Sequence, residues 1–243
     1  MSYEEVCLKG TSFNIQGNFF IKSLPYFLKL HTIEFSSCLA RSNFEDIVES
    51  LSLCSKLRKL VIINTLVCSH DNLTKFISSL KNIESLTLNF IAENVVLESI
   101  INLISSTQLQ LKYLNLSYNK NLRDNDLKSL SNLPNLEELD ISVIDNITGS
   151  ALVKFPILKK LHCFRCKNLE DDNLIKFLKR AIDLEFLDIR CCKKLTTSAI
   201  NAAIEITKKR TNNVVLEIEI NRSEINFETI KDKSFLLYLN TNK

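Results

Sequence analysis

Residues 184–204 read LEFLDIRCCKKLTTSAINAAI. Leu184, Leu187 and Ile189 form an L-x-x-L-x-I core, Cys192 follows three residues after Ile189, and Leu195 three after that. Ala199, Ile200, Ala203 and Ile204 then recur at helical spacing. A change from alternation to a 3.6-residue period describes a short strand, a loop and a helix in one unit. The same triplet recurs upstream as Leu158, Leu161, Cys163; Leu136, Leu139, Ile141; and Leu111, Leu114, Leu116. Before these stand Ile83, Leu86, Leu88; Leu57, Leu60, Ile62; Leu30, Ile33, Phe35; and Tyr3, Val6, Leu8. From position 3 to position 184 successive starts lie 27, 27, 26, 28, 25, 22 and 26 residues apart. An amphipathic helix makes one such triplet by accident; eight in register require a repeat.

Alternate strand residues face one side, so the last two members of each triplet point inward together. The helix after the strand is expected to add a second apolar face: Leu127 with Leu130, Leu152 with Phe155, and Leu174 with Phe177 and Leu178. One unit cannot bury both faces, whereas stacked units can. Three Gly, three Pro and no low-complexity run leave no candidate linker, so residues 1–243 are expected to form a single domain of about eight repeats. Residues 212–220, NNVVLEIEI, alternate and are β-branched, as a terminal strand should be. The tail 222–243, with Phe235, Leu236, Leu237, Tyr238 and Leu239, is expected to cap the last repeat. No cap is expected before Tyr3, because the first triplet begins almost at Met1.

The units LKKLHCFRCKNLEDDNLIKFL and LEFLDIRCCKKLTTSAINAAI resemble the cysteine-containing leucine-rich repeat, in which a Cys fills a loop slot that other subfamilies give to Asn. LKYLNLSYNKNLRDNDLKSL is the Asn version, with Asn119 in that slot, while Thr65 and Ile91 occupy it upstream. Repeat lengths of roughly 20–29 residues are those of leucine-rich repeats. The resemblance covers nearly the whole chain as repeats and Leu111 to Ile204 closely. It implies an α/β fold: a leucine-rich repeat solenoid (horseshoe), with parallel strands on the concave face and helices on the convex face. The subfamily is similar to the repeat region of F-box/leucine-rich-repeat proteins, the substrate-recognition subunits of SCF-type ubiquitin ligases. No F-box is expected, because residues 1–29 already read as a repeat and the chain has no Trp.

Composition narrows the function. A formal net charge of +3, from 31 Lys+Arg and 28 Asp+Glu, gives no general attraction to nucleic acid or to an acidic membrane. The N-terminus has no basic segment followed by an apolar run, so no secretory signal is expected. No stretch approaches the roughly 18 apolar residues of a spanning helix. The eight cysteines are therefore read as reduced thiols in a cytoplasmic chain, the nucleus being the other compartment open to it. The glycosylation sequons at Asn72, Asn115, Asn146 and Asn221 are read as chance matches.

Cys163 and Cys166, with Cys191 and Cys192 25 residues beyond Cys166, invite a zinc reading. The register opposes it. Cys163 takes an inward strand slot, Cys166 and Cys192 take the inward loop slot one repeat apart, and Cys191 points away. Packing thiols account for the pattern, and no metal or cofactor is expected. His31 and His70 stand apart from any nucleophile, and His162 has Asp140 and Asp188 as strand neighbours without a Ser or Cys beside it other than Cys191 near the strand end. No catalytic residue is assigned.

The outward strand positions form rows. Tyr113, Glu138, Lys160 and Phe186 make the first, and Asn115, Asp140, His162 and Asp188 the second. Ser117, Ser142, Phe164 and Arg190 make the third. Aromatic and Arg side chains among fixed polar groups are the composition of interface hot spots. The alternative is that neighbours such as Glu138 and Lys160 only neutralise one another. The expectation is a protein-binding face made by Tyr113, Asn115, Glu138, Asp140, Lys160, His162, Phe164, Phe186, Asp188 and Arg190. The resemblance implies ubiquitin-ligase components as partners; the alternative is a free-standing scaffold or inhibitor.

Overall fold

The computed structural model describes residues 4–9, 17–37, 44–65, 69–91, 95–108, 110–152, 155, 157–220 and 233–240. These fall into two compact units. The first comprises 1–115 with 132–135, and the second 116–131 with 136–243.

Unit 1 repeats strand and helix: β1 (Glu5–Lys9), α1 (Gly17–Ser23), β2 (Thr32–Ser36), α2 (Phe44–Ser52), β3 (Lys59–Thr65), α3 (His70–Ser79), β4 (Ser85–Ile91), α4 (Leu97–Thr107) and β5 (Tyr113–Asn115). The five strands are parallel neighbours in chain order, with Ile33 opposite Leu60, Leu60 opposite Leu86, and Leu86 opposite Leu114. These inward side chains are fully buried, each stabilising the fold by about 1.5–3 kcal/mol. The helices pack in the same order. Gln108, at the end of α4, donates through Nε2 to the Ile77 and Leu80 carbonyls at 3.2 and 3.1 Å, joining it to the end of α3.

Unit 2 contains α5 (Asp124–Leu127), β6 (Glu138–Asp140), β7 (Lys160–His162), α6 (Asp171–Leu178), β8 (Phe186–Asp188), α7 (Thr197–Lys208), β9 (Leu216–Glu219) and β10 (Leu237–Asn240). From β6 to β10 all neighbours are parallel, with Leu139, Leu161, Leu187 and Ile218 in one inward row. Two expected features differ. No described residue between β6 and β7 is α-helical: that repeat is the shortest, 22 residues, and Leu152 and Phe155 reach the core from turns. The strand expected over 212–220 is confined to Leu216–Glu219, because Asn213 turns the chain at φ 58°. The described tail residues add β10 beside β9, with Phe235 fully exposed.

Two devices carry the chain from strand to loop. The seventh residue after each start from Leu30 onward takes the left-handed conformation: Ser37, Asn64, Phe90, Tyr118, Val143, Arg165 and Cys191, with φ between 53° and 64°. For L-residues this costs about 1 kcal/mol apiece. The turn sends the amide of Val143 to the Phe164 carbonyl at 2.7 Å and that of Arg165 to the Arg190 carbonyl at 2.8 Å. The second device joins neighbouring repeats through an acid and a threonine. Asp124 accepts from the Thr148 amide and hydroxyl, both at 2.8 Å, and from the Gly149 amide at 3.0 Å. Asp171 accepts in the same way from the Thr196 amide, at 2.9 Å, and from its hydroxyl.

Candidate protein-binding face

The three-residue strands β6, β7 and β8 each bury their middle residue and turn the flanking pair to the opposite side. Parallel register therefore sets Glu138, Lys160, Phe186 and Glu217 in one row, and Asp140, His162, Asp188 and Glu219 in the next. Phe164 and Arg190 stand two residues beyond the ends of β7 and β8. Eight of the ten expected site residues thus share one face of unit 2. Tyr113 and Asn115 belong to unit 1, on β5, where the Asn115 amide donates to the Tyr113 hydroxyl at 3.1 Å.

Arg190 is the centre of the face. Its Nε donates to Asp188 Oδ1 at 2.9 Å and its Nη2 to Asp188 Oδ2 at 2.5 Å, a two-point clamp on one carboxylate. Nη2 also meets Glu219 Oε2 at 2.8 Å, and the guanidinium carbon lies 5.5 Å from the Phe164 ring centre. The hydrogen bond to Asp188 and the two carboxylates push the Arg190 pKa up, so it is charged throughout the accessible pH range. Asp188 also accepts from the Arg190 backbone amide at 3.0 Å. Only 3% of Asp188 is exposed. It stands where the register puts it but is covered, so it holds Arg190 in place and offers a partner little surface.

The second cluster surrounds His162. Its ring centre lies 5.0 Å from that of Phe186, and its Nε2 is 3.0 Å from Glu138 Oε1. The carboxylates expected beside it are engaged elsewhere. Asp188 is taken by Arg190, and Asp140 accepts from the Ser142 amide at 2.8 Å. The longer side chain of Glu138, diagonal to His162 across the strands, reaches the imidazole. Lys160 Nζ lies 3.5 Å from Glu138 Oε2, so this pair does neutralise across the sheet. Glu217 and Glu219 were absent from the expected set. Their signal was the alternation LEIE, which places both on the outward side once β9 is laid beside β8. The face then carries five carboxylates against the permanent cations Lys160 and Arg190.

No family model and no curated protein matches the chain. Among solved structures, the leucine-rich repeat-containing protein LegL7 from Legionella pneumophila is similar with a TM-score of 0.60 and 15% identity. The match covers 89% of this chain and 74% of that one. An internalin (inlF) from Listeria monocytogenes is similar with a TM-score of 0.54 and 15% identity, over 92% and 71% of the two chains. The fold is the leucine-rich repeat. The complex of Rad7 and Elc1 in yeast is similar over 91% of this chain and 78% of that one, at 14% identity. The TM-score of that match is 0.43.

The leucine-rich repeat register explains the thiols. Cys166 and Cys192 fill the loop slot, and their Sγ atoms donate to the carbonyls of Ile141, at 3.1 Å, and Cys163, at 3.0 Å, each in the preceding repeat. Asn119, in the same slot, donates to the Leu116 carbonyl of its own repeat at 2.7 Å. Hydrogen bonding to Cys166 and burial push the Cys163 thiol well up, and burial raises Cys192. The thiols of Cys166 and Cys192 are thus spent as donors to backbone carbonyls. Cys191 is half-buried. Among the described residues no group of three or more His, Cys, Asp or Glu is placed to hold a metal. Among the described residues no helix is long and apolar enough to cross a membrane.

Proposed function

We propose that the outward strand face of β6 to β9 binds another protein as a rigid recognition surface and performs no chemistry on it. The observation that carries this reading is the Phe164–Arg190–Asp188–Glu219 cluster. Its guanidinium is fixed by two carboxylates and stacked on a half-exposed ring. Aromatic and Arg side chains dominate interface hot spots, and groups already fixed lose little freedom when a partner arrives. Charge neutralisation accounts for Glu138 and Lys160 but gives no reason for two half-exposed phenylalanines beside them. The excess of carboxylates is unfavourable for phosphate backbones.

The cysteine-containing repeats support a finer reading, substrate recognition in an SCF-type ubiquitin ligase. A free-standing scaffold or inhibitor is the alternative. Free thiols at all six described cysteines support a reducing compartment, cytoplasm or nucleus. Quantitative affinity purification of the full chain, its Phe164→Ala/Phe186→Ala variant and a Lys128→Ala control tests both levels. A partner set lost with the double variant and kept with the control is the expected result. Equal recovery on all three would refute the face. Cullin-ligase subunits in the recovered set assign the ligase role, and their absence from a specific set assigns the alternative.

A further inference from the structure

Helices α6 and α7 both finish in basic residues: Lys176, Lys179 and Arg180 at the first, Lys208, Lys209 and Arg210 at the second. Cations at a helix C-terminus complement its dipole, and that alone would need no apolar surroundings. Between the two helix ends, however, lies a groove of about 450 Å³. Ile175, Ile182 and Ile206 line it, with Lys179, Lys209 and Arg210 around them. Ile182 is 53% exposed, and Ile175 and Ile206 are half-buried.

The charges around this floor are not matched by acids. Among the described residues Lys179 and Lys209 make no ion pair, and the one acid lining the groove, Glu205, is engaged by Lys208 at 2.8 Å. Arg210 is held by neutral carbonyls: those of Leu184, at 2.9 Å, Val214, at 3.0 Å, and Ala181, at 3.2 Å. Its Nε is buried without a hydrogen-bond partner. Burial lowers the Arg210 pKa, and Asp183 offsets this only in part. An anionic group arriving at the groove would supply the missing counter-charge.

We propose that the α6–α7 groove is a second docking site, for an acidic amphipathic helix of a partner protein. The helix would set apolar side chains spaced i, i+3, i+4 on the isoleucine floor and carboxylates against Lys179 and Lys209. The site is independent of the strand-face reading. Its shape favours a helix over a membrane: the apolar surface is a groove between two helix ends with Lys179, Lys209 and Arg210 in its lining, whereas a membrane-binding helix projects its apolar face outward. The groove is also partly open to solvent, and pockets for small ligands bury most of the ligand surface.

The test uses the full chain and a stapled helical peptide with Leu at i, i+3, i+4 and Glu on both flanks. Fluorescence anisotropy gives its affinity, and isoleucine-methyl NMR locates it. Controls are the same peptide with Lys for Glu, a scrambled sequence, phosphatidylserine–phosphatidylcholine vesicles, and oleate. The expected result is binding of the acidic peptide at about 100 µM or tighter, with the methyls of Ile175, Ile182 and Ile206 shifted. Lys179→Glu/Lys209→Glu should weaken it at least about tenfold, and Ile182→Ser should also weaken it, both variants keeping the parental melting temperature. Binding unchanged in Phe164→Ala/Phe186→Ala separates this site from the strand face. Equal binding of the Lys or scrambled peptide would overturn the proposal, as would methyl shifts elsewhere or none at all. Vesicles or oleate shifting these methyls where the acidic peptide does not would also overturn it.

Discussion

Removing Asp188 or Arg190, singly and together, measures how the candidate face is held. In Arg190→Ala the Asp188 carboxylate, 3% exposed, loses both side-chain donors and keeps only the amide of residue 190. Breaking a buried pair in this way costs about 3 kcal/mol. In Asp188→Ala the guanidinium loses the same two bonds but keeps Glu219 at 2.8 Å and has 39% of its side chain in solvent. Its cost should be smaller, about 1–2 kcal/mol. The double variant leaves no buried charge unpaired, so the two effects should fall short of adding, with a coupling of about 1–2 kcal/mol. Thermal melts followed by circular dichroism read this directly, because 1 kcal/mol moves the midpoint of a chain this size by about 2–4 °C. Arg190→Ala should therefore melt lowest of the two singles, with the double close to it. The reasoning fails if Asp188→Ala is the more damaged single, or if the singles add to within about 0.5 kcal/mol.

Gly149 has φ +91°, and a Cβ there would lie 2.7 Å from Leu169 Cδ1. Gly149→Ala should cost about 1–3 kcal/mol in urea denaturation, and an unchanged midpoint would contradict the backbone assignment. The Glu84 carboxylate is held below its ordinary range, chiefly by the hydrogen bond from Lys112, at 2.9 Å. Its small contribution is present above the unfolded carboxylate pKa and is lost as pH falls through the lower folded one. Lys112→Ala should raise the Glu84 midpoint in a carboxyl NMR titration, and an unmoved midpoint would reject the pairing. Cys163, Cys166 and Cys192 are buried, whereas Cys7 is exposed. A thiol reagent at pH 8 should label Cys7 quickly and these three only after unfolding; fast labelling of Cys192 in the native protein would refute the packing role.

Much of the fold was legible because the triplets report which residues must avoid water. Leu184, Leu187 and Ile189 are all buried, and the rows drawn from the spacing reappear as strand register. The spacing cannot say how a repeat too short for a helix will close, so the turns around Leu152 were missed. Nor did composition announce the left-handed turn: its residues include Val143 and Phe90, and neither type favours positive φ. The site was legible to the level of which side chains share a face. Which of them pair was not, because that depends on reach: Glu138 beats Asp140 to His162, and Arg190 folds back over Asp188 and covers it.

The acid–threonine joints have a consequence for the order of the units. Each works only because the residue offered by one repeat suits the residue presented by the next: Asp124 with Thr148, Asp171 with Thr196. Deleting residues 136–157 would keep every triplet intact and bring Asp124 against Glu170, acid facing acid. Deleting 158–183 would instead bring Gly149, which has no side-chain acceptor, against Thr196. The repeated triplets by themselves do not fix the order of units, whereas these joints suit the native one. Unit 2 thus carries an address system in its loops, and an array shortened by one unit would keep its remaining triplets yet be mismatched at its seams.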